Sequence, residues 1–336
     1  MTSVEKQYDL VSLGEPLLRL SPPGFGQLRR ATSLNACVVS SQLNVAADLA
    51  RLGRKTVFLT KLPDNPLGLL ALDACRSYGV DVSHIKIVPE GRMGVTYVEF
   101  SAAPRVPVAV YDRAGSAAST IGPADFDWEK ILERSTFAYT DGIFPGLSAS
   151  CMDAAIAYLS TAKQVGCTVC FDVNYREHLW RPESAREAWL RLLPYVDILV
   201  TNRAVSQLVL GYDGSDEDIL RSYIDNFGCR VACLTKRQVS ETSQGAWESF
   251  ALTAEGVSAT GNCYTYDVVD RYGTGDAWFA GFIYAYACHE RGLEYALSFG
   301  NAMCALAHTV DTDIAHLTVD QIESLINHPE QRDVRR

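Results

Sequence analysis

Asp276 follows a Gly-Thr-Gly turn and precedes a long apolar run in the stretch DRYGTGDAWFAGF, and these residue types at that spacing describe a place to bind an anion. Gly273 and Gly275 let the chain turn tightly, so that the backbone N–H groups of Gly273, Thr274 and Gly275 approach a ligand oxygen while the following helix adds its positive end. A carboxylate at that mouth would repel a resting phosphate. Proton abstraction from a hydroxyl that attacks phosphorus gives it a reason to be there. An aspartate that only caps a helix after an ordinary glycine turn fits the same spacing, and the local sequence leaves both readings open.

The elements that must hold this turn alternate along the chain. Strand-length apolar runs (YDLVSL, TVFLTK, TFAYTD, CTVCFDV, VDILVT and RVACLT) are separated by helix-length segments such as SQLNVAADLARLG and SASCMDAAIAYLSTAKQVG, with apolar residues at helical spacing and glycine at the end. The alternation predicts an α/β fold: a mostly parallel sheet with helices on both faces and a ligand beyond the carboxyl ends of its strands. Residues 15–38 and 93–113 lack helical periodicity and read as short strands joined by proline and glycine turns. They are expected to form a small β-sheet lid inserted in a single domain spanning 1–336, with the tail NHPEQRDVRR solvated.

Composition narrows the partners. A formal charge of −10 and a pI near 5.1 supply no basic field for nucleic acid, and a small molecule is the expected ligand. The N-terminus lacks the pattern of a signal or transit peptide and no stretch is apolar enough for a bilayer, so a cytoplasmic, non-membrane protein is expected. Ten cysteines scattered through a long chain suggest reduced, buried thiols. Two pairs, Cys167 with Cys170 and Cys229 with Cys233, have the residue types for a zinc site, but both lie in β-like runs where core packing is the plainer reading.

The run Asp270, Gly273, Gly275, Asp276 resembles the signature of the ribokinase-like (PfkB) carbohydrate kinases, and VSLGE, LNVAADLARLG and FDVNYR extend the resemblance over most of the chain. It implies a doubly wound sheet with a small β-lid, and a kinase that uses ATP with Mg²⁺. In that family's terms Asp276 is the base, the amides of Gly273, Thr274 and Gly275 form the anion hole, and Ser40 stands beside the sugar. Asn174, Asn202, Thr235 and Lys236 match the nucleotide side, Asn301 an adenine-pocket residue, and Asp313 the aspartate of a late Gly-Asp pair. The stretches VYDRAGSAAS and FDVNYREHLW are similar to those of 2-keto-3-deoxygluconate kinases, which implies that Tyr111, Arg113 and Arg176 hold a sugar acid, with Tyr97 packing on it from the lid. Guanidinium suits a carboxylate because it forms paired, charge-assisted hydrogen bonds. A homodimer through the lid is the implied assembly.

The sequence departs from the family in four places. Val39, Ser40, Ser41 and Gln42 stand where two glycines are usual; Asn202-Arg203-Ala204-Val205 lacks the glutamate of an Asn-x-x-Glu motif associated with Mg²⁺; the nucleotide loop after Lys236 carries Gly245 well downstream; and the late Gly-Asp becomes VDTDIAH. No Gly-Lys dipeptide of a P-loop is present, GFGQLR fails the dinucleotide fingerprint, and HERG near His289 lacks the second histidine of a zinc-protease helix. The expectation is an ATP- and Mg²⁺-dependent kinase making 2-keto-3-deoxygluconate 6-phosphate. The alternatives are a fructokinase-, ribokinase- or 5-dehydro-2-deoxygluconokinase-like enzyme, or a weakly catalytic sugar- or nucleotide-binding regulator.

Overall fold

Apolar runs of four to six residues satisfy their backbone groups and bury both faces only as central strands between two helical layers. A computed structural model, which describes residues 5–102, 104–239, 244–287 and 291–330, places them so. The tail from residue 331 and His289 lie outside the described residues. In chain order the strands are β1 (Tyr8–Leu13), β2 (Leu17–Ser21), β3 (Asn35–Val39), β4 (Thr56–Leu59), β5 (Lys61–Pro63), β6 (Lys86–Val88), β7 (Gly94–Glu99), β8 (Val108–Asp112), β9 (Ser135–Asp141), β10 (Thr168–Asp172), β11 (Ile198–Thr201), β12 (Val231–Val239), β13 (Gln244–Thr253), β14 (Ser258–Thr260) and β15 (Tyr264–Asp267). The helices are α1 (Ser41–Arg51), α2 (Pro66–Ser77), α3 (Trp128–Leu132), α4 (Ala149–Gln164), α5 (Pro182–Leu192), α6 (Arg203–Val205), α7 (Asp216–Phe227), α8 (Thr274–Tyr286), α9 (Gly292–Ala307) and α10 (Val319–Asn327).

The large sheet runs β14-β13-β12-β11-β10-β9-β1-β4, with β15 also on β13. Every pair from β4 to β12 is parallel, and the pairs made by β13 are antiparallel. The chain leaves β1 for β4 on one side and returns to β9 on the other. The strand order reverses at β1, and a crevice opens beyond the carboxyl ends of β1 and β9. Alternation along β1 sends Leu10 into a core shared with α1, α8 and α9, and Val11 into a second core shared with α4, α5 and α7. These are the two helical layers that the sequence rhythm predicts.

β2, β3, β7 and β8 form the smaller sheet, in the order β3-β2-β7-β8. Cys170 and Cys233 are buried strand residues, Cys167 and Cys229 are buried just before their strands, and burial pushes all four thiols up. Among the described residues no group of three or more His, Cys, Asp or Glu is arranged to hold a metal ion. No helix among them is long and apolar enough to cross a membrane.

α8 and α9 pack closely beneath the crevice because both are small-residue rich at the contact. A Cβ on Gly281 would lie 3.1 Å from the Cα of Gly300. Tyr139 of β9 meets Phe279 of α8 at a ring-centroid distance of 4.9 Å, which fixes α8 under the sheet. The first turn of α8 is thereby delivered to the crevice.

Candidate active site

Gly273 is the residue from which α8 begins, with φ +72°, and a Cβ there would stand 1.8 Å from the carbonyl oxygen of Asp313. Conformation and close approach both demand glycine. Thr274, Gly275 and Asp276 make the first helical turn, where N–H groups have no partner within the helix. A Cβ on Gly275 would meet nothing within 4 Å, so this backbone faces open space. The Thr274 hydroxyl donates back to the Arg271 carbonyl at 3.1 Å and ties the turn to the loop before it.

Asp276 does not cap its helix, which removes the capping reading that the local spacing allowed. It sits inside the first turn, α8 has no side-chain cap, and the carboxylate is turned across to α1. There Oδ1 accepts from Ser41 Oγ at 2.7 Å and Oδ2 accepts from Asn44 Nδ2 at 2.8 Å. Burial pushes its pKa up to about 7; the bonds from Ser41 and Asn44 pull it down, and the charges of Asp172 and Asp141 push it up again. A carboxylate poised near neutrality is suited to accept a proton.

Ser41 links this group to the ends of β9 and β10. Asn174, held at φ +31°, donates from Nδ2 to Ser41 Oγ at 3.0 Å and to Asp141 Oδ2 at 2.8 Å, while its own N–H donates to Asp172 Oδ1 at 2.9 Å. Burial and then Asp141 lift Asp172 to about 7, with the Asn174 N–H and Arg176 opposing. The side chains that replace the expected glycines are drawn into the same network. Ser40 Oγ donates to Gln42 Oε1 at 2.7 Å, and Gln42 Nε2 donates to Asp141. Ser40 also caps α1, accepting from the Leu43 N–H.

A cavity of about 610 Å³ lies over Asp276 and is lined by Ser40, Tyr111, Arg113, Arg176, Gly273 and Asp313 among the residues singled out from sequence. Tyr97 is not brought there. On β7 the cavity wall is Thr96 and Val98, and strand alternation turns Tyr97 to the opposite face of the lid. Arg113 is half-buried against Glu15, to which both Nε and Nη2 donate, with Tyr111 under the guanidinium at 5.9 Å. Glu15 takes the Nε–Nη2 edge of that group. Arg176 is exposed on the wall, and its Nη1 donates to the Tyr175 carbonyl at 3.1 Å.

Of the residues expected around the nucleotide, Asn174 belongs to the network beneath this cavity, while Asn202, Thr235, Lys236 and Asn301 are not on its wall. Asn202 is an exposed cap that accepts from the Val205 N–H at 3.0 Å, and Thr235 Oγ1 donates to the Thr201 carbonyl at 3.4 Å. Lys236 pairs with Asp216 and, at 3.7 Å, with Glu248; Arg203 shares Asp216 at 2.5 Å. Asn301 is not on the wall of this cavity. It is wholly buried, its Oδ1 accepts from Ser249 Oγ at 2.7 Å and Trp278 Nε1 at 2.8 Å, and its Nδ2 donates to the Asn262 carbonyl at 2.9 Å. Its polar atoms are satisfied within the protein, so it acts as a brace between α8, α9 and β13. Sequence reasoning missed Glu15, Arg19, Asp141 and Asp172. Glu15 closes the VSLGE stretch, noted only for its resemblance, Arg19 lies in a segment read only as part of a lid, and nothing local marks their distant partners.

A carboxylate on the first turn of a buried helix, at the switch point of an α/β sheet and beneath a β-lid, defines a phosphoryl-transfer enzyme built on a ribokinase-like fold. Residues 41–317 match the pfkB family carbohydrate kinases, and the chain belongs to that family: it is a sugar kinase. It is similar to the 2-dehydro-3-deoxygalactonokinase of Haloferax volcanii, 34% identical over 95% of this chain and 96% of that one. The 5-dehydro-2-deoxygluconokinase of Clostridium perfringens is 26% identical over 96% of this chain and 94% of its own. The crystal structure of 2-dehydro-3-deoxygluconokinase from Thermotoga maritima superposes with a TM-score of 0.90 at 31% identity, covering 96% of this chain and 100% of that one.

Proposed function

We propose that this sugar kinase transfers the γ-phosphoryl group of ATP to the terminal hydroxyl of 2-keto-3-deoxygluconate (2-dehydro-3-deoxygluconate), giving the 6-phosphate. The observation that carries the reading is the cavity itself, in which Arg113 and Arg176 stand on the wall and Asp276 at the floor of one 610 Å³ space. A sugar acid has a carboxylate at one end and a primary hydroxyl at the other. Held by the arginines at its acid end, with Tyr111 beside it, it would reach Asp276 with the hydroxyl.

Asp276 takes the hydroxyl proton as the oxygen attacks phosphorus, and Ser41 and Asn44 keep the carboxylate aimed. The amides of the Gly273–Gly275 turn stabilise the transferring phosphoryl group. Mg²⁺, bound with the nucleotide phosphates, would supply the remaining charge neutralisation. On this reading Asn174, Asn202, Thr235 and Lys236 border the nucleotide side, as in the family, and the small sheet closes over the sugar. The chain works as one domain in the cytoplasm. Exposed Val106, Val108 and Val110 on the lid favour its pairing with a second copy.

The test is coupled measurement of ADP formation with 2-keto-3-deoxygluconate, its C4 epimer 2-keto-3-deoxygalactonate, 5-dehydro-2-deoxygluconate, fructose and ribose. The gluconate acid should give the highest kcat/KM. A faster neutral sugar overturns the sugar-acid reading, a faster epimer overturns only the choice between acids, and calorimetric binding of ATP and sugar without turnover establishes a regulator instead. Arg176→Ala should raise KM for the acid roughly 10-fold or more while leaving a neutral analogue little changed.

A further inference from the structure

Arg19 projects from lid strand β2 into the two chain segments that build the anion turn. Its side chain is 6% exposed; Nη1 contacts Asp313 and lies 3.4 Å from Asp270, and Nη2 is 3.5 Å from the Asp311 carbonyl. The Phe100 ring, also from the lid, covers the guanidinium at 5.2 Å and meets Tyr272 edge-on at 5.9 Å. Each acid has its own hold on the turn. Asp270 Oδ1 accepts from the N–H groups of Arg271 at 2.6 Å and Tyr272 at 2.9 Å, shaping the approach to Gly273. Asp313 backs Gly273 through the carbonyl oxygen that leaves no room for a Cβ.

We propose that Arg19 is a positioning residue that couples seating of the lid to the geometry of the Gly273–Gly275 amides. One lid cation satisfies two buried carboxylates that repel each other when it withdraws; Asp270 holds the turn by its carboxylate, and Asp313 holds it through the backbone that packs on Gly273. The turn is therefore shaped for phosphoryl transfer when β2 is docked and relaxes when it is not. This restrains the kinase from spending ATP on water before the lid has closed over the sugar. The inference rests on the phosphoryl-transfer reading of the site.

Arg19→Lys keeps the charge but not the planar fork, and should lower kcat roughly 10- to 100-fold with KM for sugar acid and ATP within about threefold of the parent. Asp270→Asn keeps the acceptor for the two N–H groups and removes the charge; it should also lower kcat, and the double variant should lose no more than the worse single one. Hydrogen exchange across residues 268–277 should quicken at least about tenfold in either variant. Unchanged kcat and exchange in folded Arg19→Lys, a loss confined to KM, or additive losses in the double variant overturn the inference. Should Arg19→Lys fail to fold, Asp270→Asn decides by the same two readouts. A parent chain inactive on every sugar tested refutes the kinase reading, while the exchange measurement still judges the coupling.

Discussion

Asp276, Ser41 and Asn44 form the smallest unit whose chemistry can be tested alone. Asp276→Asn keeps shape and position but cannot accept the proton, so kcat should fall by about 10² to 10⁴ with the circular dichroism unchanged. A near-normal rate would remove the base assignment. Ser41 donates to the carboxylate and so lowers its pKa from where burial alone would put it. Ser41→Ala should therefore move the acidic limb of the kcat–pH profile upward from about 7, costing more activity at pH 6 than at pH 8. The place of Asp276 on the first turn of a buried helix was legible because glycines, aspartate and helix are contiguous in sequence. Its partners were not, since Ser41 lies 235 residues away and only the folded sheet brings α1 beside α8.

Elements decide what the residues on them face. Thr96 and Tyr97 are neighbours in sequence, yet a strand sends them to opposite sides of the lid, and a shift of one position inverts any assignment made by motif. The same limit applies to α9, which is apolar nearly all round and offers no periodicity to say whether Asn301 faces solvent, a ligand or the core. Replacing Asn301 by Ala would strand the Ser249 hydroxyl and the Trp278 indole N–H in the interior. A loss of about 2–4 kcal/mol in denaturant unfolding is expected, with KM for ATP unchanged in the folded protein. A selective rise in that KM would instead restore Asn301 to the nucleotide site. Strand and helix order, by contrast, followed directly from the rhythm of apolar runs, because burial on both faces leaves so plain a pattern.

For the whole molecule, the acidic site sets activity and stability against one another. Asp172 and Asp276 ionise near 7 in the folded chain, above the ordinary value near 4 of the unfolded one. A carboxyl that binds its proton more tightly when folded contributes stability fully below about 4 and loses it as pH rises through about 7. Calorimetry from pH 5 to pH 8 should show Tm falling while kcat rises, and Asp276→Asn should flatten the Tm slope. Sedimentation at micromolar concentration should show a dimer that Val108→Lys with Val110→Lys weakens; a monomeric parent would dismiss lid pairing. Net charge pointed to a small-molecule ligand, but lid orientation and subunit pairing depend on surfaces no linear pattern displays.

The burial of α8 against β9 has a consequence during synthesis. Tyr139 and its neighbours on that face of the sheet are covered by Phe279 and the rest of α8, which is translated more than a hundred residues later. At ordinary rates of elongation the half-built sheet waits roughly seven to thirty seconds with one apolar face uncovered. The helix that carries Asp276 is thus also the late closing layer of the nascent protein, and a ribosome-stalled chain ending before residue 274 should bind chaperones that the released chain escapes.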